Sequence, residues 1–173
     1  MGTLEAQNRQ VVERYWEAHF ARDWDRMATF FAPSAHYTDV GVDGVGATGP
    51  SEIIARLQLG IEPLTGYYHH PRHTIAEGNL VVTEHTEQWV FHTGEIVMHP
   101  FVSVMELRDG EIVRWHDYSN ISNLTANASP AGRPYATFAR RPWTPSPAIS
   151  LSIASSPNNR ARWPMTAAIT RKR

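Results

Sequence analysis

The sequence predicts an α+β fold in which three N-terminal helices pack on one face of a curved antiparallel sheet. Apolar residues recur at three- and four-residue spacing in three segments before residue 61. Later in the chain the pattern changes to alternation, and tight turns at residues 92–95 and 108–111 separate three strands. Because two hairpins in series form a meander, we expect one continuous sheet beside the helices.

The helices are predicted from the residues that begin and end them. Thr3 and Asp23 can cap the first two helices with their side-chain oxygens. Pro33 closes the second helix, which is expected to cover residues 24–32. A third helix begins at Pro50 and ends at Gly60.

Five strands are expected from alternation. A short strand at residues 36–40 places Tyr37 and Asp39 on one face. A turn-rich link precedes another strand at residues 72–77, and the meander covers residues 79–120. The order helix, helix, strand, helix and then four strands supports the α+β class.

The turns of the meander also predict which residues face each other. Counting outward places His85 opposite Val102, and Val102 opposite Asp117. Facing residues share one side of a sheet, so these residues and their neighbours at period two form one inward face. That face combines polar groups with large apolar side chains: His85, Glu87, Trp89, Phe91, Val102, Val104, Trp115 and Asp117.

The opposite face of the meander is also rich in apolar residues. The same counting places Phe101 on it, between Thr86 and Tyr118. A solvated monomer rarely exposes so large an apolar patch, whereas a two-fold dimer lets one patch meet itself. We therefore expect a homodimer through this outer sheet face, with Phe101 near its centre.

Composition divides the chain into an α+β domain, residues 1–127, and a tail, residues 128–173, that is predicted to be disordered. All 17 acidic residues precede Asn127, whereas eight of the 16 basic residues and seven of the 12 prolines follow it. The basic residues are too scattered to predict a nucleic-acid partner. Without a long apolar run or a signal pattern, we expect no membrane partner and a cytoplasmic location.

The sequence excludes some chemistry and makes other chemistry improbable. The chain has no cysteine, which excludes disulfides and thiolate catalysis. His69, His70, His73 and His85 lie close in sequence, but they include no His-x-His pair and no helical His-x₃-His beside a carboxylate. We therefore expect no metal site.

Short motifs between residues 4 and 125 resemble one known family. They are Arg14-Tyr15, Asp23-Trp24-Asp25-Arg26, Phe30-Phe31-Ala32-Pro33 and Tyr37-Thr38-Asp39. This pattern is similar to the SnoaL-like branch of the nuclear transport factor 2-like superfamily. Within that branch, three motifs resemble the Tyr-x-Asn, Asn-Glu-Arg-x-Asp and Trp-x-Asp-Tyr of limonene-1,2-epoxide hydrolases: Tyr37-Thr38-Asp39, Thr83-Glu84-His85-Thr86-Glu87 and Trp115-His116-Asp117-Tyr118.

The resemblance implies a cone-shaped pocket, a dimer, no cofactor and a role for each of five polar residues. Asp117 would be the general base that takes a proton from a water also held by Tyr37 and Asp39. Glu87 would protonate the opening epoxide oxygen. His85, which stands where the family has arginine, would bridge the two acids and have a raised pKa. Asp39 stands where the family has asparagine, and Glu87 where it has aspartate.

An apolar terpenoid, steroid or polyketide is the expected substrate, because the inward face is mostly apolar. The residues expected to bind it are Tyr15, His73, Trp89, Phe91, Val102, Val104 and Trp115.

Two further functions are consistent with the sequence. The chain also resembles ketosteroid isomerases, in which Tyr15 would steady an oxyanion and Asp39 would move a proton. It likewise resembles dehydratases such as scytalone and bile-acid dehydratases, which would use Tyr15, His73 and Glu87. A binding module without catalysis would keep the pocket alone. An isomerase should depend on Asp39 and Tyr15, a hydrolase on Asp117 and Glu87, and a binder on none of them.

Overall fold

A computed structural model of the chain describes residues 3–42 and 44–127. The predicted tail, residues 128–173, lies outside the described residues. The described part contains the following elements: α1 Leu4–Ala21, α2 Trp24–Ala28, β1 Phe31–Val40, β2 Ala47–Thr48, α3 Gly49–Ile61, β3 Gly66–Glu77, β4 Leu80–Val90, β5 Ile96–Arg108, β6 Glu111–Ser119 and α4 Ser122–Asn127.

The strands form one sheet in the order β2-β1-β6-β5-β4-β3. Every neighbouring pair is antiparallel except β1 and β6, which run parallel, so the sheet is mixed. α1 packs against β3 and β4, and α3 packs against β1. The predicted α+β class, with helices on a sheet, is therefore confirmed. Within the described residues, none of the helices combines the length and apolarity needed to cross a bilayer.

The first helix begins at the predicted cap, because the Thr3 hydroxyl accepts a hydrogen bond from the Ala6 amide at 3.3 Å. The second helix is shorter than predicted. It ends at Ala28, and Phe31 already belongs to β1. The Phe30 carbonyl accepts a hydrogen bond from the Ile112 amide at 2.8 Å. Pairing with β6 therefore overrides the helical pattern that placed Phe30 and Phe31 in the second helix.

β3 is longer than the predicted strand at residues 72–77 and contains an irregularity between Pro71 and His73. Before this bulge, His69 faces Glu87 on the inward side of β4. After it, His73 pairs with Glu84 on the other side of the sheet and is exposed. The predicted placement of His73 in the pocket is therefore wrong, because one extra residue reverses the side on which later residues point.

The predicted register of β5 is also wrong by one residue. His85 faces Phe101 rather than Val102, because the hairpin closes with the Phe91 amide bonded to the Glu95 carbonyl around a three-residue loop. Val102 and Val104 therefore lie on the outer face, and Phe101 is 6% exposed in the core. Neither valine can line the inward face, and Phe101 cannot be the centre of an outer dimer contact.

A second irregularity restores the predicted side for β6. The tight turn at Asp109 and Gly110 forms as expected, with both residues at positive φ. Between Glu106 and Leu107 the pairing shifts, so that Ser103 faces Asp117. The one-residue changes in the β4–β5 and β5–β6 registers cancel. Trp115 and Asp117 therefore point inward, as do the predicted residues of β4.

Candidate active site

Asp117 lies on the inward face of β6 and is 8% exposed. Its Oδ1 accepts hydrogen bonds from the Ser103 hydroxyl and from Trp115 Nε1, the latter at 2.5 Å. Its Oδ2 lies 3.4 Å from the Tyr37 hydroxyl. Burial raises the pKa of Asp117 well above its usual value, and the nearby charge of Asp39 raises it further. Neutral donors thus hold Oδ1 of this carboxyl.

Glu87 is the second buried carboxyl on this face, and it too is held by neutral donors. The Tyr67 hydroxyl donates to Oε1, and Trp89 Nε1 donates to Oε2 at 2.7 Å. Burial raises the pKa of Glu87 to about 7, although these two hydrogen bonds oppose the shift. At neutral pH this carboxyl holds its proton for a large fraction of the time.

An arginine that the sequence reasoning missed pairs with Asp39. Arg56 Nε and Nη2 lie 3.1 and 2.5 Å from Asp39 Oδ2, and the Tyr37 hydroxyl donates to Asp39 Oδ1 at 2.7 Å. The guanidinium lies 5.8 Å from the centre of the Tyr37 ring. Helical periodicity carried a signal for this contact, because Arg56 follows the buried Ile53 by three residues on α3.

Replacing Arg56 by leucine should destabilise the fold by about 2 kcal/mol, because it leaves the largely buried Asp39 carboxylate without its cation. Changing Asp39 to asparagine in the same chain should recover most of this loss. Arg72→Leu is the matched control, since its ion pair with Glu84 is exposed and should contribute little. Urea unfolding of the wild type and the three variants measures these differences, and an Arg56→Leu effect no larger than the control would contradict the assignment.

His85 does not bridge the two acids. Its Nδ1 lies 2.7 Å from His69 Nε2, and its Nε2 lies 3.1 Å from the Ser103 hydroxyl. Burial lowers the pKa of His85 to about 2, with smaller contributions from His69 and His19. The predicted bridge and the predicted rise in pKa are therefore both wrong: the ring is neutral and touches Asp117 only through Ser103.

A second polar chain joins α1 to Glu87. His19 Nδ1 lies 3.0 Å from the Tyr15 hydroxyl, and His19 Nε2 lies 3.0 Å from the Tyr67 hydroxyl, which donates to Glu87. Burial lowers the pKa of His19 to about 3. Tyr15 is thus linked to Glu87 by hydrogen bonds through His19 and Tyr67. Its hydroxyl contacts His19 rather than Asp39.

Aromatic rings fill the space between these polar groups. The Trp16 ring lies 4.5 Å from His85 and the Phe101 ring 3.6 Å from it, measured between ring centres. Buried atoms without a hydrogen-bond partner in the described part of the chain are Trp16 Nε1, Thr83 Oγ1 and His99 Nδ1. Such groups are donors or acceptors that a ligand or water can satisfy.

The structure thus brings together most of the predicted site. The residues found on the inward side are Tyr15, Tyr37, Asp39, His85, Glu87, Trp89, Phe91, Trp115 and Asp117. Sequence reasoning missed Arg56, His19, Tyr67, His69 and Ser103. In residues 3–42 and 44–127, the acidic and histidine side chains form no group of three that could hold a metal ion.

Comparison with known proteins connects this arrangement to a family. The model of the SnoaL-like domain matches residues 12–115. Among solved structures, an LEH-like epoxide hydrolase from M. tuberculosis is 21% identical and superposes with a TM-score of 0.62, covering 71% of this chain and 90% of that one. No curated protein matches the chain significantly.

Two other solved structures have the same fold. A candidate polyketide cyclase from Xanthomonas campestris is 25% identical, with a TM-score of 0.63 over 73% of this chain and 100% of that one. A protein from Catenulispora acidiphila with a ketosteroid isomerase-like fold, in complex with trimethylamine, is 19% identical, with a TM-score of 0.61 over 68% and 90% of the two chains. The predicted fold is confirmed.

Proposed function

The chain belongs to the family of SnoaL-like domains, and from this premise we propose that it is a cofactor-independent hydrolase of small epoxides. The observation that carries the proposal is the pair of buried carboxyls, Asp117 and Glu87, on one inward face. Each is held by neutral hydroxyl and indole donors, and burial raises the pKa of both. Two such groups are the minimum that acid-base addition of water needs.

The proposed reaction assigns one role to each carboxyl. The ionised Asp117 takes a proton from a water molecule as the water oxygen attacks an epoxide carbon. The C–O bond of the epoxide breaks, and the protonated Glu87 gives its proton to the leaving oxygen, so the product is a diol. Tyr37, which lies between Asp117 and Asp39, is placed to orient the attacking water.

The surroundings favour an apolar substrate. The rings of Trp16, Trp89, Phe91, Phe101 and Trp115 are buried around the polar groups. Such an aromatic interior binds hydrocarbon skeletons better than sugars or nucleotides, which would leave many hydroxyl groups without partners. A terpenoid, steroid or polyketide epoxide therefore fits the proposal.

The proposal is tested by incubating the full chain with a panel of terpenoid, steroid and aryl epoxides, together with a parallel panel of enones and β-hydroxyketones. We expect diol formation from at least one epoxide and no turnover of the second panel. Turnover of enones or β-hydroxyketones alone would replace the hydrolase by an isomerase or dehydratase. Tight binding without any turnover would indicate a binding module.

A dehydratase is the second candidate, and the His69–His85 pair favours it. Burial keeps both rings neutral, lowering the pKa of His69 to about 4, and a neutral imidazole can accept a proton from the carbon next to a carbonyl. His69 would take the place that the sequence assigned to His73. An isomerase that uses Asp39 has less support, because Arg56 pairs with this carboxylate.

We also propose that the protein forms a homodimer through the outer sheet face, with a centre that differs from the expected Phe101. Val104 lies between Val82 and His116 on this face, and Val102 lies between Glu84 and Tyr118. An open groove of about 610 Å³ is lined by Val102, Glu84 and Tyr118. Tyr118 and Met98 expose about half of their surface here, so a second copy would bury apolar area.

Sedimentation tests this assembly. We expect the wild type to be a dimer at micromolar concentration and Val104→Glu to be a monomer, because a carboxylate would be buried at the centre of the contact. Val45→Glu is the matched control, since Val45 is 76% exposed in the loop before β2. A monomeric wild type, or a dimer that survives Val104→Glu, would overturn the proposal.

A further inference from the structure

A continuous chain of hydrogen bonds runs from Asp117 to the half-buried His69. The Ser103 hydroxyl donates to Asp117 Oδ1, and Ser103 Oγ lies 3.1 Å from His85 Nε2. His85 Nδ1 lies 2.7 Å from His69 Nε2. Ser103 and His85 are buried, whereas His69 is partly accessible to solvent.

Each member of this chain can both donate and accept a proton. A serine hydroxyl does both at once, and a neutral imidazole accepts at one nitrogen while it donates from the other. Burial keeps both imidazoles neutral, because it lowers the pKa of His69 to about 4 and that of His85 to about 2. An arginine at position 85 could not act in this way, since it has no acceptor and does not lose its proton.

We propose that Ser103, His85 and His69 form a proton path that returns the proton taken up by Asp117 to solvent after each reaction. The path rests on the proposed role of Asp117 as general base. It would be needed because Asp117 is buried and must lose its proton before it can activate a second water molecule.

The hydrogen bonds of the resting site fix the protonation of both rings. Because Ser103 donates to Asp117, its oxygen must accept a hydrogen from His85 Nε2. His85 Nδ1 is then an acceptor, and His69 Nε2 is the donor between the two rings. Every hydrogen in the path therefore points toward an ionised Asp117.

This arrangement is the one that outward proton transfer leaves behind. After Asp117 takes up a proton, the Ser103 hydroxyl must rotate and both imidazoles must change tautomer before every hydrogen points outward. Asp117 then gives its proton to Ser103, and Ser103 passes its own to His85 Nε2. His85 passes the proton of Nδ1 to His69 Nε2, and His69 releases the proton of Nδ1 to water. One proton has left Asp117, no covalent bond between heavy atoms has changed, and the resting arrangement results.

Among residues 3–42 and 44–127, Asp117 is the only charged side chain that is a hydrogen-bond partner of Ser103, His85 or His69. Around His85, α1 contributes Trp16 and the neutral His19, and β5 contributes Phe101. Glu87, two residues along β4, is bound to Tyr67 and Trp89 instead. The proton therefore has one hydrogen-bonded exit from Asp117 Oδ1 among the described residues.

The first test needs no substrate. Nitrogen-15 NMR of the full chain with labelled histidine, at a pH where Asp117 is ionised, should show the hydrogen of His85 on Nε2. Ser103→Ala should change this tautomer population, whereas His70→Gln should not, because His70 contacts Gln88 on the other side of the sheet. A hydrogen on Nδ1 of His85 in the wild type would overturn the path.

The second test separates proton release from chemistry. With an epoxide that the wild type hydrolyses, His69→Gln should leave the first turnover unchanged and lower the steady-state rate by about 10-fold or more. Added imidazole should restore part of the loss, and His70→Gln should behave like the wild type. An equal fall in both phases, or an unchanged steady state, would overturn the path. Absence of any epoxide turnover would refute the proposed hydrolase, and the NMR result would then decide the path alone.

Discussion

Asp117→Asn is expected to lower kcat/KM for epoxide hydrolysis by about 10²–10⁴-fold, because an amide cannot take a proton from water. The substitution preserves the shape of the side chain. The amide oxygen can still accept from Ser103 and Trp115, so the fold should survive. Initial rates of diol formation measure the effect.

Two further variants make this prediction specific. Asp109→Asn removes an exposed carboxylate from the β5–β6 turn, where asparagine tolerates the positive φ, and should leave the rate unchanged. Glu87→Gln should lower the rate to an extent similar to Asp117→Asn, because no proton reaches the leaving oxygen. An Asp117→Asn protein that retains more than a tenth of wild-type activity would show that another group is the base.

The stability of the protein should be greatest near pH 6.5 and fall on both sides. Glu87 has a folded-state pKa of about 7, above the 4.5 of an ordinary glutamate. The folded state therefore holds this proton more tightly than the unfolded state. The resulting contribution to the free energy of unfolding is lost as pH rises from 4.5 through 7. The difference corresponds to about 3 kcal/mol. Asp117, whose pKa is also raised, acts in the same direction.

Histidines produce the loss on the acid side. Burial lowers the pKa of His19, His85 and His99 to about 3, 2 and 4, whereas an unfolded histidine titrates near 6.5. Below pH 6.5 the unfolded chain gains protons that the folded chain cannot bind, so unfolding becomes easier as pH falls. The acid limb should steepen below about pH 4.5, where the two carboxyls no longer offset it.

Melting temperatures between pH 4 and 9 test this profile. Glu87→Gln should flatten the limb above pH 6.5, and His99→Gln should flatten the limb below it. His70 is exposed on the other face of the sheet, so His70→Gln serves as a control with an unchanged profile. A melting temperature that rises steadily from pH 6 to 9 would contradict the raised pKa of the two carboxyls.

The pH dependence of the hydrolysis rate should reflect the protonation of the same carboxyls rather than that of His85. As the proposed acid, Glu87 must be protonated, so the rate is expected to fall as pH rises through about 7. The sequence alone predicted a raised pKa for His85. The structure gives the opposite shift for that ring, because its partners are His69 and Ser103 rather than two carboxylates.

Alternation alone was sufficient to place Glu87 on the inward face, whereas Asp117 was placed there correctly because two register shifts cancel. Their strands are long, and a period of two depends only on the parity of the register. The residues of β5 were placed on the wrong side because a three-residue loop replaces the expected two-residue turn. The later shift at Glu106 returned β6 to the predicted side, which nothing in the local sequence indicates.

The polar residues that support the two carboxyls could not be predicted from the sequence for a different reason. Arg56, His19 and Tyr67 each act across elements that are distant in sequence, so their partners depend on how helices pack on the sheet. His69 lies before Pro71 in a stretch that resembles a turn, although it belongs to β3. Single-sequence patterns do not encode such pairings, whereas they do encode which face of an element is buried.

The central claim is that Asp117 activates water directly while Glu87 protonates the epoxide oxygen. A single turnover with enzyme in excess over a hydrolysable epoxide, in water enriched in oxygen-18, tests it most directly. The account predicts that the diol from the first turnover carries one labelled oxygen and that the protein carries none. An unlabelled diol, with the label left in a carboxylate of the protein, would show that a carboxylate attacks the epoxide and would contradict the account.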